Sequence, residues 1–221
     1  MQYLYHTEAK APTLRLRGDK HRYIFKVRRH RKGEIIALRN LKDDNIYYYR
    51  IISLDKKEAY LVLENSEELI IKAKKKLHIG WCIIEPKNIE KVLPTLNEIG
   101  VTSISFIYCT RSQKSFKLDF KRLEKILLNS SQQCGRSDIM KLEIVDSLEN
   151  FLDTYPNAKA LNFSENRLSN IENIDSIVIG CEGGFTDDEI KLFNNSIIGL
   201  DTSLILKSES AICAMASKIL V

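Results

Sequence analysis

The chain has 221 residues, of which 44% are hydrophobic and 29% are charged, and its formal net charge is +5. These values are typical of globular proteins, so they exclude a disordered chain, a collagen-like repeat and a coiled coil; the length allows one large domain or two modest ones. The N-terminal segment has no apolar core of signal-peptide length, and no later run approaches the roughly 18 to 20 apolar residues of a membrane span. We therefore expect a protein that is neither exported nor inserted into a membrane.

Five cysteines are spread widely along the chain, and none belongs to a C-x-x-C pair. They are Cys82, Cys109, Cys134, Cys181 and Cys213. An odd number at such spacing predicts neither a disulfide framework nor a zinc ribbon. We expect reduced thiols, no bound metal and a cytoplasmic location.

The first 70 or so residues predict a small β-rich module. Its strands are the alternating TLRLR (13–17), the β-prone EIIALRN (34–40) and two arms of a hairpin around the turn 55–58. Residues 20–33 predict a short helix that faces inward through Tyr23, Val27 and Ile24 and ends at Gly33. The module is therefore predicted to be a small barrel with a basic face.

Charge is divided unevenly along the chain. Residues 1–76 carry 19 Lys and Arg against 10 Asp and Glu, a net charge of +9, whereas residues 77–221 have a net charge of −4. Within residues 10–32, ten side chains are basic and one is acidic, and arginine, whose guanidinium suits phosphate, outnumbers lysine six to four. A nucleic-acid partner is indicated, although a solvated basic surface is the alternative.

After residue 76 the pattern becomes an alternation of apolar strands and amphipathic helices. The segments in chain order are LHIGWCIIE, NIEKVLPTLNEIG, SISFIYC, FKRLEKILLNSSQQC, LEIV, SLENFLDTY, AKALNF, SIVIGCEGG, TDDEIKLFNN, IIGL and SESAICAMASKIL. Repeated βα units of this kind predict an α/β domain around a mostly parallel sheet.

The stretch 176–193 is the most informative one for chemistry. An apolar strand runs into G-C-E-G-G, and Thr186 with Glu189 then forms a capping box at a helix start. Glycines between a strand and a helix permit a ligand to approach the backbone, although a tight turn alone could require them. Because no phosphate-binding glycine motif is present and the helix opens with acidic residues, a ligand with adenosine but no phosphate is favoured.

Several motifs together resemble the RsmE-type ribosomal RNA uridine-N3 methyltransferases of the SPOUT (trefoil-knotted) superfamily. These motifs are I-G-C-E-G-G-F-T-x-x-E-I, L-I-L-K-S-E-S-A (204–211), H-R-Y-I-F-K-V-R-R-H-R-K-G-E (21–34), N-E-I-G-V (97–101), T-R-S (110–112) and S-Q-Q-C-G-R (131–136). Their order covers nearly the whole chain. The sequence departs from the family pattern at Cys181, which replaces Pro, at Thr202, which replaces Gly, and at Leu204 and Lys207, which replace two Arg.

The resemblance implies a fold, a cofactor and a substrate. The expected fold is α/β, with a PUA-like RNA-binding β-barrel domain over residues 1–70 and a SPOUT domain with a C-terminal knot over residues 71–221. The implied cofactor is S-adenosylmethionine, and the implied reaction is methyl transfer to N3 of a uridine in small-subunit (16S) ribosomal RNA. A noncatalytic RNA-binding or ribosome-assembly protein that keeps this fold is the alternative.

Site residues follow from the positions of the motifs. The implied cofactor-binding residues are Ile179, Gly180, Glu182, Gly183, Gly184, Leu200, Ser203, Leu204, Leu206 and Ser208. The candidate RNA-binding residues are Arg15, Arg17, Arg22, Lys26, Arg28, Arg29, Arg31, Lys32 and Arg111. A cation near the uridine oxygens would favour the N3 anion, and Arg136 and Lys207 are the catalytic candidates for that role, with binding of a phosphate as the alternative for both. The resemblance also implies a homodimer.

Overall fold

The computed structural model describes residues 2–167 and 174–221. Its contacts divide the chain into two compact units, Met1–Lys72 with Ser131–Ile139, and Ala73–Ser130 with Met140–Val221. The sequence predicts a boundary at residue 70, and the contacts also group Ser131–Ile139 with the first unit. That segment is held there by hydrogen bonds: Tyr3 Oη donates to the Arg136 carbonyl at 2.9 Å, and the Ile71 amide donates to Ser137 Oγ at 3.1 Å.

The first unit is built on a five-stranded mixed sheet in the order β1-β3-β4-β5-β2. Its strands are β1 (Leu4–Tyr5), β2 (Thr13–Arg17), β3 (Ile35–Arg39), β4 (Asn45–Leu54) and β5 (Glu58–Glu68). β1 pairs with β3 in parallel and the other pairs are antiparallel. As the alternation in β2 predicts, Leu14 and Leu16 are buried while Arg15 and Arg17 are exposed.

The predicted helix over residues 20–33 is shorter and differently placed. Helix α1 (Gly18–His21) continues into a π-helical segment, Arg22–Val27, which buries Ile24 completely. Val27, predicted to face inward, is 61% exposed. The helix ends well before Gly33 because the chain turns into the left-handed region at Arg29, whose φ is 61°.

The second unit contains six parallel strands in the order β11-β9-β10-β6-β7-β8. The strands are β6 (His78–Cys82), β7 (Ser103–Ile107), β8 (Lys141–Val145), β9 (Lys159–Leu161), β10 (Ser176–Ile179) and β11 (Ile197–Ile198). The helices are α2 (Pro86–Ile99), α3 (Phe120–Cys134, whose last turn lies in the first unit), α4 (Leu148–Thr154), α5 (Asp187–Lys191) and α6 (Ser208–Leu220). Among the described residues, no helix is long and apolar enough to cross a membrane.

Parallel pairing places the carboxyl ends of all six strands at one edge of this sheet. β6 is buried at every residue, and α2 packs against α6. The loops that follow β7, β9, β10 and β11 therefore gather at the same edge, which is where ligands bind in open α/β sheets.

Cys82 and Cys109 are joined by a disulfide, with 5.6 Å between their Cα atoms. The expectation of reduced thiols throughout is therefore wrong for this pair, although Cys134, Cys181 and Cys213 are free. Cys82 ends β6 and Cys109 follows β7, its neighbour in the sheet, so parallel pairing joins residues 27 positions apart. Sequence spacing alone does not reveal such a pair.

Candidate functional site

A cavity of about 620 Å³ lies at the carboxyl edge of the parallel sheet. Its walls come from the loops after β9, β10 and β11 and from the first turn of α6. The volume is in the usual range for small-ligand sites, and the lining combines apolar side chains with exposed backbone. In the part of the chain that the structure describes, no three His, Cys, Asp or Glu side chains are grouped as a metal site would require.

The glycine loop, residues 180–184, forms one wall of the cavity. A Cβ atom at Gly180 would lie 3.3 Å from the Gly184 Cα atom, so the loop folds closely on itself, and Gly184 has a φ of +66°. The predicted capping box follows it: Thr186 Oγ1 accepts from the Glu189 amide, and the Glu189 carboxylate accepts from the Thr186 amide. The glycines therefore meet steric requirements of this turn.

Ser208 links the glycine loop to the last helix. Its hydroxyl donates to the Gly180 carbonyl at 2.5 Å and accepts from Trp81 Nε1 at 2.9 Å. Both side chains are buried, so these bonds fix the first residue of α6 against the end of β10 and against β6. Trp81 was not predicted as a site residue. The signal that could have identified it is the indole N–H, which needs a hydrogen-bond acceptor when the tryptophan lies in a buried apolar strand.

Arg111 and Glu189 brace the outer side of the glycine loop. Arg111 Nη1 donates to the carbonyl oxygens of Gly183 at 2.6 Å and of Phe185 at 3.0 Å. Glu189 Oε1 accepts from the Thr110 amide at 2.8 Å. The T-R-S segment after β7 is thus attached to the loop after β10 by two hydrogen bonds, both from Arg111, the residue predicted to bind RNA, and to α5 by a third.

The carboxyl group of Glu189 is buried and ionised. Burial by itself raises the pKa of Glu189, but the hydrogen bonds from Thr110 and Thr186 outweigh it, so the pKa lies below its ordinary value. The negative charge of Glu189 therefore strengthens the hydrogen bonds that connect the Thr110 segment to the start of α5.

Cys181 stands in the loop where the family pattern has proline. Its Sγ donates to the Gly184 carbonyl over 3.8 Å, and burial raises the pKa of this thiol. A thiol that remains protonated is a poor nucleophile, so Cys181 supports the loop turn rather than covalent chemistry.

Another part of the cavity lining, which includes Asn162, Phe163 and Leu200, lies next to Gly199, the residue that follows β11. The Gly199 amide donates to the Asn166 carbonyl at 2.9 Å, and Arg167 Nη1 donates to the Leu200 carbonyl at 2.8 Å. Arg167 and Asn88 line the cavity and were not foreseen. No motif marks these two residues, because both lie in segments outside the glycine motif.

The structure brings nearly all the predicted cofactor-binding residues together around the cavity; Ser203 is exposed and is not in the lining. The lining includes Ile179, Gly180, Glu182, Gly183, Gly184, Leu200, Leu204, Leu206 and Ser208. Of the two catalytic candidates, Lys207 lines the cavity. Arg136 lies buried in the first unit, where its Nε donates to Asp138 Oδ1 at 2.8 Å, and its catalytic role stays a prediction.

The other candidate RNA-binding residues all lie in the first unit and are exposed. Arg17 pairs with Glu58 at 2.6 Å, and Arg15 stacks over the Tyr60 ring at 4.5 Å. Arg28 Nε donates to Tyr23 Oη at 3.1 Å. The basic face therefore includes side chains that are neutralised or stacked within the module itself.

Comparisons with known proteins agree with this architecture. The family model described as an RNA methyltransferase domain matches residues 72–220, and one described as an RNA methyltransferase PUA domain matches residues 16–64. Ribosomal RNA small subunit methyltransferase E of Helicobacter pylori (strain 26695) is 38% identical over 98% of each chain. The protein of the same name from Mesomycoplasma hyopneumoniae is 29% identical over 83% of this chain and 90% of its own length.

Solved structures share the fold over nearly the full length. Ribosomal RNA small subunit methyltransferase E of Neisseria gonorrhoeae, bound to S-adenosylmethionine, superposes with a TM-score of 0.80 at 20% identity, covering 98% of this chain and 95% of that one. A Legionella pneumophila protein solved with the same cofactor gives a TM-score of 0.81 at 23% identity, covering 98% and 96%. The predicted fold class, an α/β domain around a mostly parallel sheet with a PUA-like N-terminal domain, is confirmed. The chain belongs to the ribosomal RNA small subunit methyltransferase E family.

Proposed function

We propose that this protein is an S-adenosylmethionine-dependent methyltransferase that modifies N3 of a uridine in small-subunit ribosomal RNA. The observation that carries the proposal is the cavity beside the glycine loop, braced by Ser208 and Arg111, in a chain of this methyltransferase family. The relatives' name states small-subunit ribosomal RNA, and the N3 position follows from the resemblance of the motifs.

The cavity fits S-adenosylmethionine on its own features. Three of the five residues of the glycine loop, Gly180, Gly183 and Gly184, have no side chain, so this wall of the cavity offers mainly backbone groups to a ligand. Apolar residues such as Leu161 and Leu206 suit an adenine ring, and the carboxylate of Glu182 suits a cationic ligand. Acidic residues open α5, and the helix is capped by its own Thr186, which disfavours phosphate there.

Bound S-adenosylmethionine supplies a methyl group on a sulfonium, which needs no further activation. The chain's own residues position the reactants and stabilise charge. Lys207 lies in the cavity lining, where its ammonium favours an anion on the uridine oxygens. We assign Arg136 to holding the first unit together, since its carbonyl accepts from Tyr3 and its guanidinium donates to Asp138.

The direct test is a methylation assay. Purified protein, labelled S-adenosylmethionine and small ribosomal subunits are incubated, and the RNA nucleosides are analysed by mass spectrometry. We expect N3-methyluridine at one site when the subunits come from a strain lacking the gene, and no incorporation into subunits that already carry the modification. Transfer to another position would change the assigned product, and no transfer to any RNA would favour a noncatalytic assembly protein.

Arg111 is expected to act on cofactor binding rather than on RNA binding. Arg111→Met removes the hydrogen bonds to the carbonyl oxygens of Gly183 and Phe185, and we expect S-adenosylmethionine to bind about tenfold more weakly, which corresponds to about 1.4 kcal/mol. Calorimetry measures this affinity. Arg122→Met is the matched control, because Arg122 pairs with Glu90 at 2.7 Å on the surface of the same unit. If Arg111→Met left the affinity for S-adenosylmethionine unchanged and weakened RNA binding, Arg111 would instead be an RNA-contacting residue.

RNA binding is expected to depend on the basic side chains that are not already paired. Arg22→Gln with Lys26→Gln removes two exposed charges from the π-helical segment, and the slope of log K against log salt should fall by about 1.4, or roughly 0.7 for each phosphate contact with single-stranded RNA. Arg17→Gln should change the slope less, because Glu58 already neutralises that guanidinium. Equal slopes for all three proteins would contradict this assignment of the basic face.

Two further expectations belong to the same proposal. A homodimer would cover the apolar side chains exposed at the cavity rim, of which Phe163 is 78%, Leu204 71% and Ile205 83% exposed. Sedimentation velocity checks the expectation of a homodimer, and a monomer at micromolar concentration would contradict it.

A bacterial ribosomal substrate implies a cytoplasmic location.

A further inference from the structure

Positive charge in the second unit is concentrated in one part of its sequence. Residues 77–221 have a net charge of −4, but residues 110–125 carry six Lys and Arg against two Asp and Glu, a net charge of +4. The rest of residues 77–221 therefore has a net charge of −8. A local excess of one sign within a domain of the other sign indicates a partner with the complementary charge, here an anion.

The backbone between β7 and α3 is fixed, although it forms no regular strand or helix. Phe116, Leu118 and Phe120 are partly buried against the hydrophobic core of the second unit. Tyr108 Oη donates to the Phe116 carbonyl at 3.1 Å. Lys117, which lies between these apolar residues in the sequence, is exposed. Its charge is thus presented to solvent from an anchored segment.

Five exposed lysines define what we call the lysine surface: Lys87, Lys91, Lys114, Lys117 and Lys121. Within the described residues, none of these five side chains forms an ion pair. Arg122 is instead neutralised by Glu90 at 2.7 Å, and that pair joins the start of α3 to the start of α2. The two segments 85–91 and 110–125 together hold eight basic side chains and four carboxylates, so positive charge remains in excess.

The lysine surface borders the cavity. Asn88, which follows Lys87, belongs to the cavity lining. Arg111, three residues before Lys114, donates to the carbonyl oxygen of Gly183, another lining residue, at 2.6 Å. The segments that carry the lysines follow β6 and β7, which end at the same edge of the sheet as the strands around the cavity. An RNA strand with one nucleotide in the cavity can therefore pass over the lysine surface.

We infer that the lysine surface binds the phosphate groups of the RNA next to the nucleotide in the cavity, where the assignment of the cavity to a nucleotide rests on the proposed function. An ammonium is a compact charge that attracts phosphate but lacks the planar fork with which a guanidinium recognises a base edge. Contacts to phosphate position a nucleic acid and do not read its sequence. The lysine surface therefore holds the RNA backbone without selecting the bases.

The test is the triple variant Lys114→Gln, Lys117→Gln and Lys121→Gln, measured by fluorescence anisotropy with labelled oligouridine and labelled oligocytidine. The slope of log K against log salt should fall by about 2, or roughly 0.7 for each phosphate contact that is lost. The decrease should be the same for both RNAs, because the lysines contact phosphate. Calorimetric affinity for S-adenosylmethionine should not change, since Arg111 and the glycine loop are intact.

A matched control removes the same charge at a distance from the cavity. Lys76→Gln, Lys141→Gln and Lys218→Gln replace three exposed lysines that lie before β6, at the start of β8 and in the last turn of α6. These positions are at the amino ends of two strands and at the far end of a helix whose first turn lines the cavity. The control triple should keep the slope of the unmodified protein.

Single-turnover methylation of small ribosomal subunits that lack the modification gives a second measurement. The test triple should raise the half-saturating concentration of subunits by about tenfold or more, because it loses three phosphate contacts. The maximal rate should stay the same, since the substituted side chains lie outside the cavity lining.

Three results would overturn the inference: a test triple with the slope of the unmodified protein, equal decreases for the test and control triples, or a decrease confined to one of the two RNAs. The anisotropy measurements require no methyl transfer. A protein that transferred nothing to RNA would therefore refute the proposed function, while the slopes would still decide whether the lysine surface binds RNA.

Discussion

Replacing Gly199 by alanine is expected to destabilise the second unit by about 3 kcal/mol, the upper range for forcing an extra methyl group into a packed site. A Cβ atom at this position would lie 2.4 Å from the Ser164 carbonyl oxygen and 3.1 Å from Arg167 Nη1. Because the first contact is with backbone, the segment after β9 would have to move. The same segment carries cavity lining, so we also expect S-adenosylmethionine affinity to fall at least tenfold.

Differential scanning fluorimetry measures the first effect and calorimetry the second. About 3 kcal/mol corresponds to a Tm decrease of roughly 6 to 12 °C in a unit of this size. Gly184→Ala is the matched control: Gly184 has a φ of +66° but open space around it, so only conformational strain of roughly 1 to 2 kcal/mol is expected. A Tm for Gly199→Ala equal to that of Gly184→Ala would show that the contact with Ser164 relaxes freely.

Local patterns in the sequence were sufficient for most of the fold. Alternation in β2, apolar strands such as β6 and β10, and the Thr186–Glu189 capping box each have a cause within a few residues, and each was predicted. The glycine loop was predicted as a binding element for the same reason, since the turn from strand to helix is a local feature.

The contacts that complete the site are long-range, and the sequence pattern does not contain them. Arg111 was predicted to bind RNA because the sequence shows its charge. The sequence does not show its hydrogen-bond acceptors, which lie 72 and 74 positions away along the chain. Arg136 lies in the first unit because residues 131–139 fold back there, and the Cys82–Cys109 bond depends on strand order. The order of strands in a parallel sheet depends on how successive strand–helix–strand segments pack, so the spacing of motifs could not reveal these partners.

Glu189→Gln is expected to lower the free energy of unfolding by about 3 kcal/mol at neutral pH, because two backbone amides and a hydroxyl lose a charged acceptor inside the protein. Glu182→Gln, an exposed carboxylate in the neighbouring loop, is the control and should change stability by less than about 0.5 kcal/mol. Urea titrations of the three proteins at neutral pH compare these values.

The pH dependence of the same variant separates a charge effect from a packing effect. The pKa of Glu189 in the folded protein lies below the ordinary value of 4.5, so the unfolded chain binds more protons in the acid range and the folded state gains stability as the pH rises there. The unmodified protein should therefore exceed Glu189→Gln in stability by a constant amount above about pH 5, and the difference should shrink as the pH falls through 4.5 toward the lowered pKa. A difference that stayed constant down to pH 3 would mean that shape rather than charge makes Glu189 important. Because Glu189 joins the Thr110 segment to the helix after the glycine loop, the same acid range should weaken S-adenosylmethionine binding in the unmodified protein.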